Sequence, residues 1–191
     1  MTLINTQDRY GWLTIALHWI AAAGVIAMFA SGLAADAARE QGGREAAAPL
    51  MALHVSIGAS LFAIFAARIV AHYTQARPIK PEQPRWLNIL ASAVQHLLLL
   101  GILIQILSGP LVVWSGGRAI QVFELFSLPS PFAERSEAVH EFAETAHVVG
   151  RALIFFMLPI HVLGAFKHLI LDRDGVFSRI LSPRPLNKPS S

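Results

Sequence analysis

Four stretches of the chain carry no charged side chain or only one: Tyr10 to Ala35, Ala46 to Ala67, Trp86 to Gly117, and Thr145 to Phe166, the last broken only by Arg151. Crossing the roughly 30 Å hydrocarbon core of a bilayer takes about 20 apolar residues in helical form, and each stretch reaches that length. In lipid every backbone polar group must be satisfied internally, so the stretches predict helices, at about residues 10–35, 47–72, 86–115 and 144–171. Together they use most of the 191 residues and leave short loops. The expected fold is an all-α integral membrane protein, a four-transmembrane-helix bundle forming a single domain over residues 1–191.

The connections carry their own signals. Between Arg77 and Arg85 stand Pro78, Pro81 and Pro84, which predict a stiff extended link between the second and third helices. From Gly116 to about Phe142, Gly116-Gly117 and Pro129-Ser130-Pro131 predict a turn-rich excursion with a short helix after Pro131. The first apolar stretch followed by Ala35-Asp36-Ala37 resembles a signal peptide with its cleavage site. Its leading segment, however, has only Asp8 and Arg9 and no net positive charge, and the run exceeds the usual length, so it is expected to remain as a helix.

Composition agrees with lipid as the solvent: 54% of residues are hydrophobic, 14% are charged, and the mean hydropathy is +0.53. The sequence contains no cysteine, which removes thiolate ligands, iron–sulfur clusters, disulfides and covalent haem attachment. The basic pI of about 9.8 does not point to nucleic acid, because no basic stretch is interleaved with aromatics. It reflects topology. One side of the four helices holds Arg9, Arg68, Arg77, Lys80, Arg85, Lys167, Arg173, Arg179, Arg184 and Lys188 against Asp8, Glu82, Asp172 and Asp174. The other holds Arg39, Arg44, Arg118 and Arg135 against eight acids, Asp36, Glu40, Glu45, Glu124, Glu134, Glu137, Glu141 and Glu144. Positive connections stay in the cytoplasm, so both termini are expected there.

Histidine inside lipid is costly and marks a functional candidate. His18 lies near the inner end of the first helix and His54 near the outer end of the second. His140, His147, His161 and His168 are separated by multiples of seven and share one stripe of the fourth helix. The outermost two span 28 residues, about 42 Å at helical rise, so they belong at the interfaces. His147 and His161, 14 residues apart or about 21 Å, fall within the span. By depth His147 matches His54 and His161 matches His18. Each cross-helix pair can supply both axial nitrogens to one haem iron, while the porphyrin lies in a slot between helices. Small residues near these ligands, Ala21, Ala22, Gly24, Gly58, Ala59, Gly150 and Gly164, suit such a slot or, equally, tight helix packing. The alternative for the histidines is interhelical hydrogen bonding without metal. Zinc does not suit two pairs about 20 Å apart with no carboxylate or thiolate nearby. Two axial histidines leave the iron no open position, which favours electron transfer over oxygen binding.

His96 and His168 are placed to hydrogen-bond a propionate or a quinone, or else to sit among headgroups, and His72 and His140 read as interfacial. Arg151, one turn after His147, suits an outer propionate or snorkels outward. Gln95 and Gln105 are expected to bond helix to helix.

Arg9-Tyr10-Gly11, Leu17-His18-Trp19, Leu53-His54 with Ser56-Ile57-Gly58, Gln95-His96-Leu97, Leu107-Ser108-Gly109, Leu125-Phe126-Ser127-Leu128-Pro129 and the run His161 to His168 followed by Asp172-Arg173-Asp174-Gly175 resemble the bacterial cytochrome b-561 family over nearly the whole chain. The resemblance implies two b-type haems ligated by His18, His54, His147 and His161, and quinone-linked electron transfer in the bacterial inner membrane, with superoxide oxidation known for some members. The family often has two histidines after Lys167, where this chain has only His168, and an acid where Val148 stands. The expected function is transmembrane electron transfer between a periplasmic donor, superoxide among the candidates, and membrane quinone such as ubiquinone. The alternative is a membrane-anchoring cytochrome b subunit of a larger periplasmic redox complex such as a hydrogenase. Lipid, quinone and the donor are the expected partners.

Overall fold

The computed structural model describes residues 2–185; Lys188, counted above among the inner bases, lies outside the described residues. Its first element, α1, runs from Trp12–Thr74. A straight helix of that length would measure about 95 Å, three times the hydrocarbon core. It is instead two helices meeting at Gly43, whose φ of 72° and ψ of −160° only glycine adopts without strain. The arms return antiparallel. Gly32 faces His54 and Gly58 faces Met28, so facing residue numbers sum to 86. A Cβ added to Gly24 would meet Leu61 at 2.8 Å and Phe65 at 3.1 Å. The connection expected as a loop around residues 36–46 is therefore helical almost throughout. Its alanines, glutamates, arginines and Gln41 are good helix formers, and only Gly42-Gly43 interrupts them.

After an irregular link through the three prolines come α2 (Arg85–Ser115) and α3 (Glu137–Phe166). The two pack along glycines: a Cβ on Gly101 would meet Ile154 at 2.7 Å, and one on Gly150 would meet Gln105 at 2.8 Å and Ile104 at 2.9 Å. A π-helical turn, Lys167–Asp172, extends α3, and Arg173 and Gly175 reverse the chain in left-handed conformations before the short α4 (Val176–Arg179). Three helical elements are long and apolar enough to cross a membrane, and α1 contributes both its arms. Large side chains such as Ile26, Phe156 and Leu163 point outward with about two-thirds of their area exposed, as a lipid-facing surface requires.

The outer excursion differs from the expectation. Instead of a helix after Pro131 it forms a β-hairpin, β1 (Ile120–Val122) against β2 (Phe126–Leu128). Phe123 and Glu124 turn it with φ of 45° and 60°. The Ser56 hydroxyl fastens it to α1, donating to the Gln121 carbonyl at 3.2 Å and accepting from the Phe123 amide at 3.0 Å. Ser130 replaces the expected helix, donating to the Trp114 carbonyl and receiving the Phe132 amide, both at 3.0 Å.

At the opposite end the N-terminal segment folds under α1. The Asn5 side chain receives the Gly11 amide at 2.9 Å and donates to the Ala76 carbonyl at 3.1 Å, and any side chain at Gly11 would run into the backbone of Leu3 and Ile4. Arg179 is buried there, donating to the Ile79 carbonyl at 2.9 Å with its guanidinium 5.3 Å from the Tyr10 ring. Burial lowers its pKa, and the nearby Tyr10, Asp174 and Asp8 work against that shift.

Candidate functional site

The four singled-out histidines meet in two pairs. His18 on the first arm faces His161 on α3 with ring centroids 6.2 Å apart, and His54 on the second arm faces His147 with centroids 6.4 Å apart. A metal-bound imidazole nitrogen lies about 2 Å from its ion, so two imidazoles on opposite sides of one ion hold their centroids roughly 6 Å apart. Two imidazoles joined by a direct hydrogen bond would hold their centroids closer, about 5 Å apart.

The backbone around the pairs matches. Among the described residues no Cα of α1 approaches a Cα of α3 within 8 Å, although each helix packs against α2. The rings thus reach across a separation wider than that of α2 and α3, where glycines let the backbones touch. A cleft of about 270 Å³ between the first arm and α3 is walled by Phe29, Leu33, Val148 and Phe155. Such apolar walls suit a porphyrin body.

Hydroxyls orient the outer rings. Ser31 donates to the Ala27 carbonyl at 2.8 Å, so its oxygen accepts from Nδ1–H of His54 at 3.1 Å. That tautomer leaves Nε2 bare, the form a metal ligand needs. Ser108 stands 3.0 Å from Nδ1 of His147, and the Gln105 amide nitrogen lies 3.5 Å from its Nε2, again consistent with a bare Nε2. Beside each serine is a glycine. A Cβ on Gly32 would come within 3.3 Å of the His54 ring, and one on Gly109 within 3.6 Å of the His147 ring.

Sequence reasoning gave these four residues no role, naming Ser108 and Gly109 only within a family-like motif and Ser31 and Gly32 not at all. The signal was present as a Ser-Gly dipeptide repeated inside two apolar stretches, Ser31-Gly32 and Ser108-Gly109. The small residues it did select mostly serve elsewhere: Gly24, Gly58 and Gly150 pack against Leu61, Met28 and Gln105, while Gly164 alone has open space beside it.

The remaining candidates separate as follows. Arg151 is bonded to Asp36 at 3.0 Å, an ion pair between α3 and the first arm. His96 donates from Nδ1 to the Ser92 carbonyl at 2.6 Å and packs against His72, with centroids 5.3 Å apart. It lines a cleft of about 510 Å³ with Lys80, Arg85, Asn88 and Ser92. His168 is held by Asp174 at 2.8 Å and Asp172 at 3.1 Å. His140 bridges Ser115 and Glu144, each at 3.2 Å. Gln95 is exposed, whereas Gln105 crosses between helices as expected.

Comparison with known proteins completes the picture. The profile of the family described as prokaryotic cytochrome b561 matches residues 9–183. Cytochrome b561 homolog 2 of Escherichia coli (strain K12) is 31% identical over 182 residues, covering 95% of each chain. A b-type cytochrome is a haem b protein, and the two apolar histidine pairs are compatible with that cofactor class. On this evidence the chain belongs to the prokaryotic cytochrome b561 family.

Proposed function

We propose that the protein is a di-haem electron-transfer cytochrome of the bacterial inner membrane, built as a four-helix bundle with both termini cytoplasmic. The observation that carries the reading is the separation of the two facing histidine pairs, 6.2 and 6.4 Å between centroids. His18 and His161 would hold one haem b, and His54 and His147 the other. When bound, haem would supply reversible one-electron chemistry. The protein's contribution is position and exclusion. Ser31 and Ser108 fix the outer rings, apolar walls keep water away, and the pairs stand at two depths, so that charge can cross in two short steps.

At the inner end, the cleft beside His96 offers Asn88, Ser92 and His96 as hydrogen-bonding groups against Ile89 and Ala93, a chemistry suited to the head of membrane quinone. At the outer end the electron would come from superoxide or another periplasmic donor, to the group that His54 and His147 would hold. Arg151 is already engaged by Asp36, so steering of an anion falls to Arg39, Arg44 and Arg118. A second reading, the anchoring subunit of a periplasmic redox complex, is favoured by the outer hairpin, whose Leu125 is 80% and Phe126 55% exposed.

The test is purification of the full chain and anaerobic reduction with candidate donors, superoxide included, followed by quinone. The expected result is a reduced b-type spectrum with two haems per chain, reoxidised by quinone, and loss of one haem on replacing His54 or His147. A haem-free protein, or one that no donor reduces and no quinone reoxidises, overturns the proposal. Co-purification with a catalytic subunit favours the second reading.

A further inference from the structure

The register of the α1 arms places one more residue at the inner pair. Facing residue numbers sum to 86 where Gly32 meets His54 and where Gly58 meets Met28. The same register sets Arg68 directly across from His18. His18 in turn faces His161, 6.2 Å away between ring centroids. The sequence counts Arg68 among the bases of the inner side, near the end of the second predicted helix, and the structure places it inside the second arm, six residues before Thr74. Among the described residues this half-buried guanidinium has no carboxylate partner, and Tyr10 is its one titratable neighbour of potentially negative charge. The neighbouring His72 ring leaves its buried Nε2 without a partner as well. An arginine inside a membrane helix is costly unless an anion meets it. The outer pair differs, since its nearest arginine, Arg151, already has Asp36.

We propose that Arg68 is the carboxylate receptor of the inner haem: its guanidinium fork takes a propionate of the group held by His18 and His161, and its charge raises that centre's reduction potential. The inference rests on the reading that those histidines ligate haem. A planar fork matches a carboxylate in bidentate geometry, which an ammonium cannot do. Oxidation of the iron adds one positive charge to the site, so a nearby permanent cation disfavours the oxidised form. The anion could otherwise be a phosphate from an inner-leaflet lipid, and the experiment separates the two.

Anaerobic redox titration of the purified protein with Arg68→Gln and Arg68→Lys, each in a His54→Ala background that leaves only the inner centre, reads the effect directly. The expected result is a lower potential in R68Q, partly restored in R68K, together with haem transfer to apomyoglobin accelerated roughly tenfold or more in R68Q. Loading haem-starved protein with haem dimethyl ester, which has no free propionate, should speed haem transfer from protein that keeps Arg68 to the rate of R68Q and should not speed it further in R68Q. The potential is compared only between proteins carrying the same haem, because losing the propionate charge acts opposite to losing Arg68. An R68Q protein with the wild-type potential and haem retention overturns the proposal. So does an ester effect of equal size with and without Arg68, which would assign the residue to lipid phosphate. If R68Q does not accumulate, the ester comparison between wild type and R68K decides by the same criterion. Failure of the underlying reading is distinct: the wild-type protein would contain no haem, or His18→Ala would keep both.

Discussion

Under the proposed ligation, removing the two hydroxyls that hold the rings of His54 and His147 should loosen one haem and spare the other. Ser31 and Ser108 each make one hydrogen bond to an Nδ1 atom, at 3.1 and 3.0 Å, and both are buried. A bond of this type contributes about 1 kcal/mol, so Ser31→Ala with Ser108→Ala removes about 2 kcal/mol of ring orientation. That corresponds to roughly 30-fold weaker retention, within the 10–100-fold range expected when partners of metal-ligating histidines are lost. The side chains lie on different helices, but their rings are 6.4 Å apart and would share one haem, so simple addition is the reference value and any departure from it measures their coupling. The assay is transfer of haem from the purified chain to apomyoglobin, which should resolve two phases. In the double variant one phase should quicken by about 30-fold, each single variant should give about fivefold, and the second phase should keep its wild-type rate. Two unchanged phases would show that the hydroxyls do not support ligands. Equal acceleration of both phases would show that the serines act on the bundle as a whole.

Gly32→Ala brings a methyl within 3.3 Å of the His54 ring, whereas Gly109→Ala leaves 3.6 Å at His147, so G32A should weaken outer-haem retention severalfold and G109A should not; equal retention in the two variants would contradict the geometry. Gly43→Ala forces φ of 72° and ψ of −160° on a residue with a side chain, at a cost of about 1–3 kcal/mol, visible as a lower Tm in detergent although nothing lies within 4 Å to clash. Asp36→Asn breaks an ion pair whose partners are about half exposed. Its effect on thermal unfolding should stay below about 1 kcal/mol, and a larger loss would mean that the pair holds α3 to the first arm.

How much of this could be read in the sequence depends on the length scale of the signal. The apolar stretches are some 20 residues long, and the depth of a histidine along such a stretch follows from helical rise alone. The pairs His18 with His161 and His54 with His147 could therefore be named before their rings were seen to meet. What depth does not carry is azimuth. Arg68 reads as one of the inner-side bases until the register across Gly43 sets it level with His18. Ser31 and Ser108 carry no assigned role in the sequence until their hydroxyls are seen beside Nδ1 atoms. The helical turn around Gly43 was hidden because charge was taken as the sign of a loop, although alanine, glutamate and arginine continue a helix well. The β-hairpin was hidden because strands of three residues contain too little alternation to register, and it depends on Ser56, more than sixty positions away.

The distance between α1 and α3 bears on how the protein is made. Translation would yield two preassembled parts, the bent α1 and the glycine-packed α2 with α3, joined at one seam and by the outer hairpin. Among the described residues their remaining faces meet through four imidazoles, the stacked Phe29 and Phe155 rings and the half-exposed Arg151–Asp36 pair. Under the proposed ligation, closing that second seam would be cofactor insertion itself, so maturation would finish on haem supply and a starved cell would accumulate a half-closed, protease-sensitive chain.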